Sequence, residues 1–212
     1  MAVAEKGISL IAGLGNIGTE YEGTRHNSGF LFADLLAEKC GARFSEEKKF
    51  NAFVTRVRLG GKEVWLIKPT TYMNRSGLAV QAVAQYYHIT PGEILVAHDE
   101  LDLMPGSMKL KLGGGNAGHN GLKDITQKLG TPDFWRLRFG TGHPRTLGLA
   151  QQVADFVLSR PSVEQREAIG ECVEAAIGCV EFLAQGDFQK AERRIAPFAR
   201  KNSPAGAGKG GK

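Results

Sequence analysis

Ile8-Ser9-Leu10-Ile11-Ala12-Gly13-Leu14-Gly15-Asn16-Ile17-Gly18 is an apolar run ending in glycines, followed by Thr19-Glu20-Tyr21-Glu22-Gly23-Thr24 and then Arg25-His26-Asn27-Ser28. Residues 8–14 read as a buried strand. Gly13, Gly15 and Gly18 then satisfy Gly-x-Gly-x-x-Gly, the pattern of a dinucleotide site. In that fold a helix opens at the glycines, so that its N-terminus meets the pyrophosphate. Here six polar and turn-forming residues intervene before any helical pattern. No clean second parallel strand ending in an acid follows either, since Glu46 and Glu47 precede a hairpin. The glycines are therefore read as a tight turn at the carboxyl edge of a sheet. Asn16 either projects from it into a cleft, offering a donor and an acceptor, or satisfies the backbone of the turn itself.

Working outward, Phe30, Leu31, Ala33, Leu35 and Leu36 fall at helical spacing, with Asn27 or Ser28 as N-cap. Residues 50–59 and 63–68 flank Gly60-Gly61, the signal of an antiparallel hairpin, so the sheet is mixed. A helix over 76–87 is closed by Pro91-Gly92 before a strand over 94–97. A strand over 107–112 is broken by Gly113-Gly114-Gly115, and a helix over 119–129 precedes a strand over 135–139 with Arg136 and Arg138 on one face. Beyond Pro144 the chain reads as helical. Ser162-Val163-Glu164-Gln165 is a capping box opening one long helix, with Ile169, Val173, Ala176, Val180 and Leu183 along a stripe. The expectation is an α/β fold: a single domain over residues 1–200, with a mixed, mostly parallel twisted sheet flanked by helices and a helical C-terminal part. Residues 201–212, rich in Gly and Lys, have nothing to bury and are expected to be a disordered basic tail.

The chain has 212 residues, 42% of them hydrophobic and 23% charged, enough for one sizeable core. No apolar run approaches the roughly 18 residues of a membrane span, and the N-terminal segment is too short for a signal peptide, so a cytoplasmic protein is expected. Cys40, Cys172 and Cys179 show no metal-type spacing and are read as reduced packing residues. The net charge is +5. Residues 105–154 carry Lys109, Lys111, Lys123, Lys128, Arg136, Arg138 and Arg145 against only Asp124 and Asp133. A basic block on an otherwise acidic body suggests a polyanionic partner, the plainer reading being a solvated face.

The chemistry-bearing residues are dispersed among glycine-punctuated turns. No Gly-x-Ser-x-Gly elbow occurs and no Cys lies in these glycine-punctuated polar stretches, so a histidine that activates water is the natural inference. His26, in a polar loop between Arg25 and Asn27, is the candidate. His88 and His143 read as structural or loop residues, and His119 as a cap near a helix start. The five histidines form no His-x-x-x-His or Cys/His cluster, so no metal is expected. Asp99, after four apolar strand residues, could accept from His26 and fix its tautomer, or be part of a solvated acidic turn with Glu100 and Asp102. Strand alternation keeps His98 and Asp99 from facing the same cleft. Tyr72-Met73-Asn74 lies between a strand and a helix, where binding residues of open α/β sheets sit. Asn74 either hydrogen-bonds a ligand or caps the helix.

Together these stretches resemble the bacterial-type peptidyl-tRNA hydrolases. The matching blocks, in family order, are Gly13-Leu14-Gly15-Asn16, Tyr21 with Thr24-Arg25-His26-Asn27-Ser28-Gly29, and Lys68-Pro69-Thr70-Thr71-Tyr72-Met73-Asn74-Arg75-Ser76-Gly77. His98-Asp99-Glu100-Leu101-Asp102 and Gly118-His119-Asn120-Gly121-Leu122 complete the set. The resemblance implies hydrolysis of the ester between peptide and tRNA in peptidyl-tRNA released prematurely from ribosomes; no cofactor is expected, and since nothing suggests an obligate dimer a monomer is expected. His26 is then the base for water and Asp99 its orienting partner. Asn16 helps to tell a blocked amino group from a free one, while Asn74 and Asn120 hold the peptide backbone or the attacking water. Tyr21 and Tyr72 line the site for the tRNA 3′ end, and Met73 is an apolar wall. Lys109, Lys111 and Arg138 grip tRNA phosphates without reading sequence. Ile17 stands where many relatives have Pro, and Tyr72 where some have Phe. A non-catalytic RNA-binding member of the same fold is the alternative.

Overall fold

The computed structural model describes residues 6–199. The expected tail from Lys201 onward lies outside them. Seven strands form one sheet: β1 (Leu10–Gly13), β2 (Ser45–Glu47), β3 (Ala52–Leu59), β4 (Lys62–Pro69), β5 (Ile94–Glu100), β6 (Met108–Leu112) and β7 (Trp135–Gly140), in the order β2-β3-β4-β1-β5-β7-β6. The four central strands β4, β1, β5 and β7 run parallel, and antiparallel pairs close both edges. The hairpin turns at Gly60 and Gly61, both with positive φ (57° and 82°), as a two-residue turn of matching twist requires.

Every residue of β1 and β5 is buried, as expected of strands covered on both faces. On one face, α1 (Ser28–Lys39), α5 (Val163–Ile177), α6 (Val180–Ala184) and α7 (Phe188–Ala199) cover the core built around Ile11, Phe32, Leu66, Leu137 and Phe139. The other face carries α2 (Ser76–Tyr86) and α3 (Asn120–Leu129) over Leu10, Val80, Val96 and Ile125. A short helix, α4 (Val153–Val157), lies at the edge of the carboxyl ends.

The glycines after β1 serve helix packing. The chain makes two 3₁₀ turns, Thr19–Tyr21 and Arg25–Asn27, before α1 begins at Ser28. A Cβ on Gly29 would lie 2.2 Å from the Ala97 carbonyl oxygen and 2.4 Å from Leu14 N, so only glycine lets α1 start this close to β1 and β5. The first strand is shorter than residues 8–14 because pairing stops at Gly13, opposite Ala97. Strand β5 is longer than 94–97 because β7 pairs it through Glu100.

The long helix expected after Ser162 is two helices. The capping box is present, with Gln165 N donating to Ser162 Oγ and Ser162 N to the Gln165 side chain, but α5 ends at Ile177 and the chain re-enters a helix only at Val180. The apolar stripe is buried across the break at Gly178-Cys179. Cys172 and Cys179 are buried, with burial pushing the Cys179 pKa up to about 12. Cys40 is exposed, which corrects its reading as a packing residue.

Candidate active site

Strand β1 has β4 on one side and β5 on the other, and the chain reaches them by separate connections. That is a switch point, where a crevice opens beyond the carboxyl ends. Three segments meet there: Arg25–Asn27 after β1, Met73–Arg75 after β4, and the end of β5.

His26 Nδ1 lies 3.0 and 2.9 Å from the two carboxylate oxygens of Asp99. Asp99 is 2% exposed and His26 9% exposed. Burial alone would lower the His26 pKa, but the charge of Asp99 and its hydrogen bond outweigh this and raise it above the ordinary value. Burial likewise works against the Asp99 carboxylate. Its two imidazole partners hold its pKa well below the usual range all the same. An ionised Asp99 places the His26 proton on Nδ1 and leaves Nε2 an acceptor, with no hydrogen bond to the described residues. The ring lines a cavity of about 140 Å³ with Glu100, Leu101, Gly118, Asn120, Val153 and Val157. No Ser, Thr or Cys lines that cavity.

Asp99 has a second partner that the sequence reading left as a helix cap. His119 is the N-cap of α3, taking the Leu122 N–H on Nδ1 at 3.3 Å, and its Nε2 lies 2.9 Å from Asp99 Oδ1. The cap makes Nδ1 an acceptor, so the proton sits on Nε2 and is donated to Asp99. The ligand atoms of His26, Asp99 and His119 lie within 4.8 Å of one another and are the group among the described residues that could face a metal ion. The two imidazole nitrogens lie 2.9–3.0 Å from the Asp99 oxygens, which are hydrogen-bond lengths.

Asn16 is buried and fixed from two sides. Its backbone N–H donates to Asn27 Oδ1 (2.8 Å), Asn27 Nδ2 donates to the Asn16 carbonyl (3.0 Å), and Met73 N donates to Asn16 Oδ1 (2.7 Å). Asn16 therefore ties two active-site loops together, and its NH₂ has no partner among the described residues. Asn27 is the clamp that sequence reading took only for a cap, and with it in place the turn holds although Ile17 follows. Met73 is 4% exposed and packs in the core beneath the loop, so its side chain does not stand as an exposed apolar wall. Asn74 is exposed and makes no capping bond to α2, whose N-cap is Arg75. Asn120 is exposed at the first turn of α3 and lines the His26 cavity. Tyr72, 60% exposed, meets Tyr21 edge-on at 6.3 Å between ring centroids.

Alternation along β5 sends His98 away from Asp99. His98 lines a separate cavity of about 320 Å³ with Glu100, Lys111, Arg136 and Arg138. Its Nδ1 donates to the Asp99 carbonyl oxygen (2.7 Å), its Nε2 is buried without a partner, and burial, with His119 close by, pushes its pKa down to about 3. Arg138 Nε donates to Glu100 at 2.7 Å, so the acidic turn is an ion-paired strand end. Lys109 pairs across the ladder with Arg138, and Lys109 and Lys111 are exposed. Arg136 is 2% exposed and donates to the carbonyls of Gly114, Gly115 and Pro132, so it braces the glycine loop and adds nothing to the basic surface.

An α/β sheet with a histidine–aspartate pair at its switch point, beside a cavity that Asn120 lines and that has no Ser, Thr or Cys, is an arrangement suited to hydrolysis by an activated water. The particular family follows from comparison with known proteins. A family model described as peptidyl-tRNA hydrolase matches residues 10–204, and the chain belongs to that family. It is 55% identical over 195 residues to a peptidyl-tRNA hydrolase of Bordetella petrii, covering 92% of this chain and 93% of that one. A peptidyl-tRNA hydrolase of Cupriavidus pinatubonensis is 50% identical over 91% of this chain and its own full length. The crystal structure of peptidyl-tRNA hydrolase from Acinetobacter baumannii superposes with a TM-score of 0.85 at 43% identity, covering 90% of this chain and 95% of that one.

Proposed function

We propose that the protein hydrolyses the ester joining peptide to tRNA in peptidyl-tRNA released prematurely from ribosomes, and that His26 is its general base. The observation that carries this reading is the His26–Asp99 pair, with Nδ1 bonded to the carboxylate and Nε2 unbonded at a cavity without a nucleophile. Nε2 takes a proton from water, the hydroxide formed attacks the ester carbonyl, and the imidazolium returns the proton to the leaving ribose oxygen. Asp99 keeps the base in the productive tautomer and stabilises its charged form.

The exposed amides of Asn74 and Asn120 hold the peptide backbone or the attacking water, and the NH₂ of Asn16 reads the blocked amino end. Tyr21 and Tyr72 receive the 3′ end of the tRNA. Lys109, Lys111 and Arg138 meet its phosphates, which fixes orientation without reading sequence. We read the enzyme as a cytoplasmic monomer. No helix among the described residues is long and apolar enough to cross a membrane. A non-catalytic RNA-binding role has no use for the His26–Asp99 pair.

The test is release of peptide from N-acetyl-aminoacyl-tRNA beside the same aminoacyl-tRNA with a free amino group. Cleavage of the blocked substrate alone is expected. His26→Ala should lower kcat by roughly two to four orders of magnitude, the range for loss of a general base, with tRNA affinity retained. Near-normal turnover in that variant would overturn the assignment.

A further inference from the structure

Arg25 precedes His26 in the same 3₁₀ turn, yet its side chain points away from the reacting cavity toward the end of α4. It is 5% exposed. Its Nη1 donates to the carbonyls of Phe156 (3.4 Å), Ser159 (3.2 Å) and Arg160 (3.2 Å) and to Ser159 Oγ (2.6 Å), and its Nη2 to the Gln165 side chain (2.8 Å). The guanidinium also lies 4.0 Å over the Phe156 ring, and Arg25 N donates to the Ser159 carbonyl at 3.1 Å. No carboxylate is among these partners. A charge buried on neutral acceptors alone is expensive, and in this fold it organises one segment.

Besides this tether the segment is held by the fully buried Phe156 and by Arg160 Nε, which donates to the Glu22 carbonyl at 3.0 Å. From residue 149 to 160 only Phe156 and Val157 are buried, while Leu149, Val153 and Leu158 are 45%, 39% and 43% exposed. A five-residue helix has no stability of its own. Yet Val153, Ala154 and Val157 form one wall of the cavity that His26 lines.

We propose that Arg25 is a positioning residue of the reaction, holding α4 as the wall of the His26 cavity; this rests on the general-base reading of His26. The wall narrows the space in which water and ester meet, and its loss widens the range of poses around Nε2. Lysine would not substitute, because a single ammonium cannot span the acceptors that the planar fork reaches.

Arg25→Lys and Arg25→Ala should lower kcat by roughly ten- to a hundredfold, the effect of misplaced reacting groups, with tRNA affinity unchanged. Amide hydrogen exchange should accelerate at residues 153–158 and not in β5. Millimolar guanidinium ion should restore part of the turnover of Arg25→Ala. Ser159→Ala, which breaks the tether from the other side, should give a smaller loss of the same kind, non-additive with Arg25→Lys. Normal kcat in the Arg25 variants, or faster exchange throughout the sheet without guanidinium rescue, would overturn the proposal; if the Arg25 variants do not fold, normal kcat and unchanged exchange in Ser159→Ala would do so. His26→Ala separates the two readings: if that variant keeps its turnover the base assignment fails, whereas the exchange experiment still tests the tether.

Discussion

Asp99 satisfies two histidines at once, and this sets the chemistry of the site. Replacing it by Asn removes the charge that outweighs burial at His26, so the base should become more acidic. For Asp99→Asn the rising limb of kcat/KM against pH should therefore move to lower pH. The plateau should fall by about two to four orders of magnitude, because an amide no longer enforces the Nδ1–H tautomer. In the unaltered protein that limb should lie above the ordinary histidine value. A pH–rate profile of both proteins checks the pair, and an unshifted limb would mean that another group titrates. His26 was legible in the sequence because a histidine in a polar loop after a glycine turn has few structural duties. His119 was not, since its position at a helix start explained it fully. The unused signal was its place in Gly118-His119-Asn120-Gly121, beside an amide that was singled out.

At the scale of elements, the site depends on how closely α1 approaches two strand ends. Gly29→Ala would set a Cβ against the Ala97 carbonyl and the Leu14 backbone, neither of which is a flexible side-chain end. A loss of about 2–4 kcal/mol in urea unfolding is expected, in the range of overpacked cores, with activity reduced because His26 moves with the start of α1. An unchanged midpoint would show that α1 can shift at no cost. The hairpin, α2, α3 and the capping box of α5 were legible, because turn glycines, 3.6-residue periodicity and a Ser-x-x-Gln cap are local signals. The break at Gly178-Cys179 was not, since the apolar stripe runs on through it. The end of β5 was hidden for another reason: His98, Asp99 and Glu100 are polar, and pairing with β7 and burial keep them in the strand.

Across the whole molecule, charge and burial divide in a way that can be measured. Lys109→Ala, Lys111→Ala and Arg138→Ala should each reduce the slope of log affinity for tRNA against log salt by roughly 0.7–0.9, one phosphate's worth. Arg136, although in the same basic block, is buried against backbone carbonyls and should act on stability instead. His98 is neutral when folded, its pKa pushed down to about 3, and takes up a proton on unfolding below the ordinary value of 6.5. Between those values the unfolded state binds one more proton than the native state, so this group's contribution to stability falls as pH falls. His98→Phe should flatten unfolding free energy against pH by up to roughly 1.4 kcal/mol per pH unit in that window, measured by urea unfolding. The sequence by itself determined the α/β class and most of the element order, and it singled out His26, Asp99 and the amides as candidates, because periodicity, turn chemistry and glycine-flanked polar residues are written within short windows. Only the tertiary structure decided which oxygens of Asp99 serve which histidine, that Asn27 and Met73 clamp Asn16, that Arg25 binds a segment more than a hundred residues away, and that Arg136 is interior. Each of these is a contact between distant segments, and a contact of that kind exists only once burial has removed water as the competing partner.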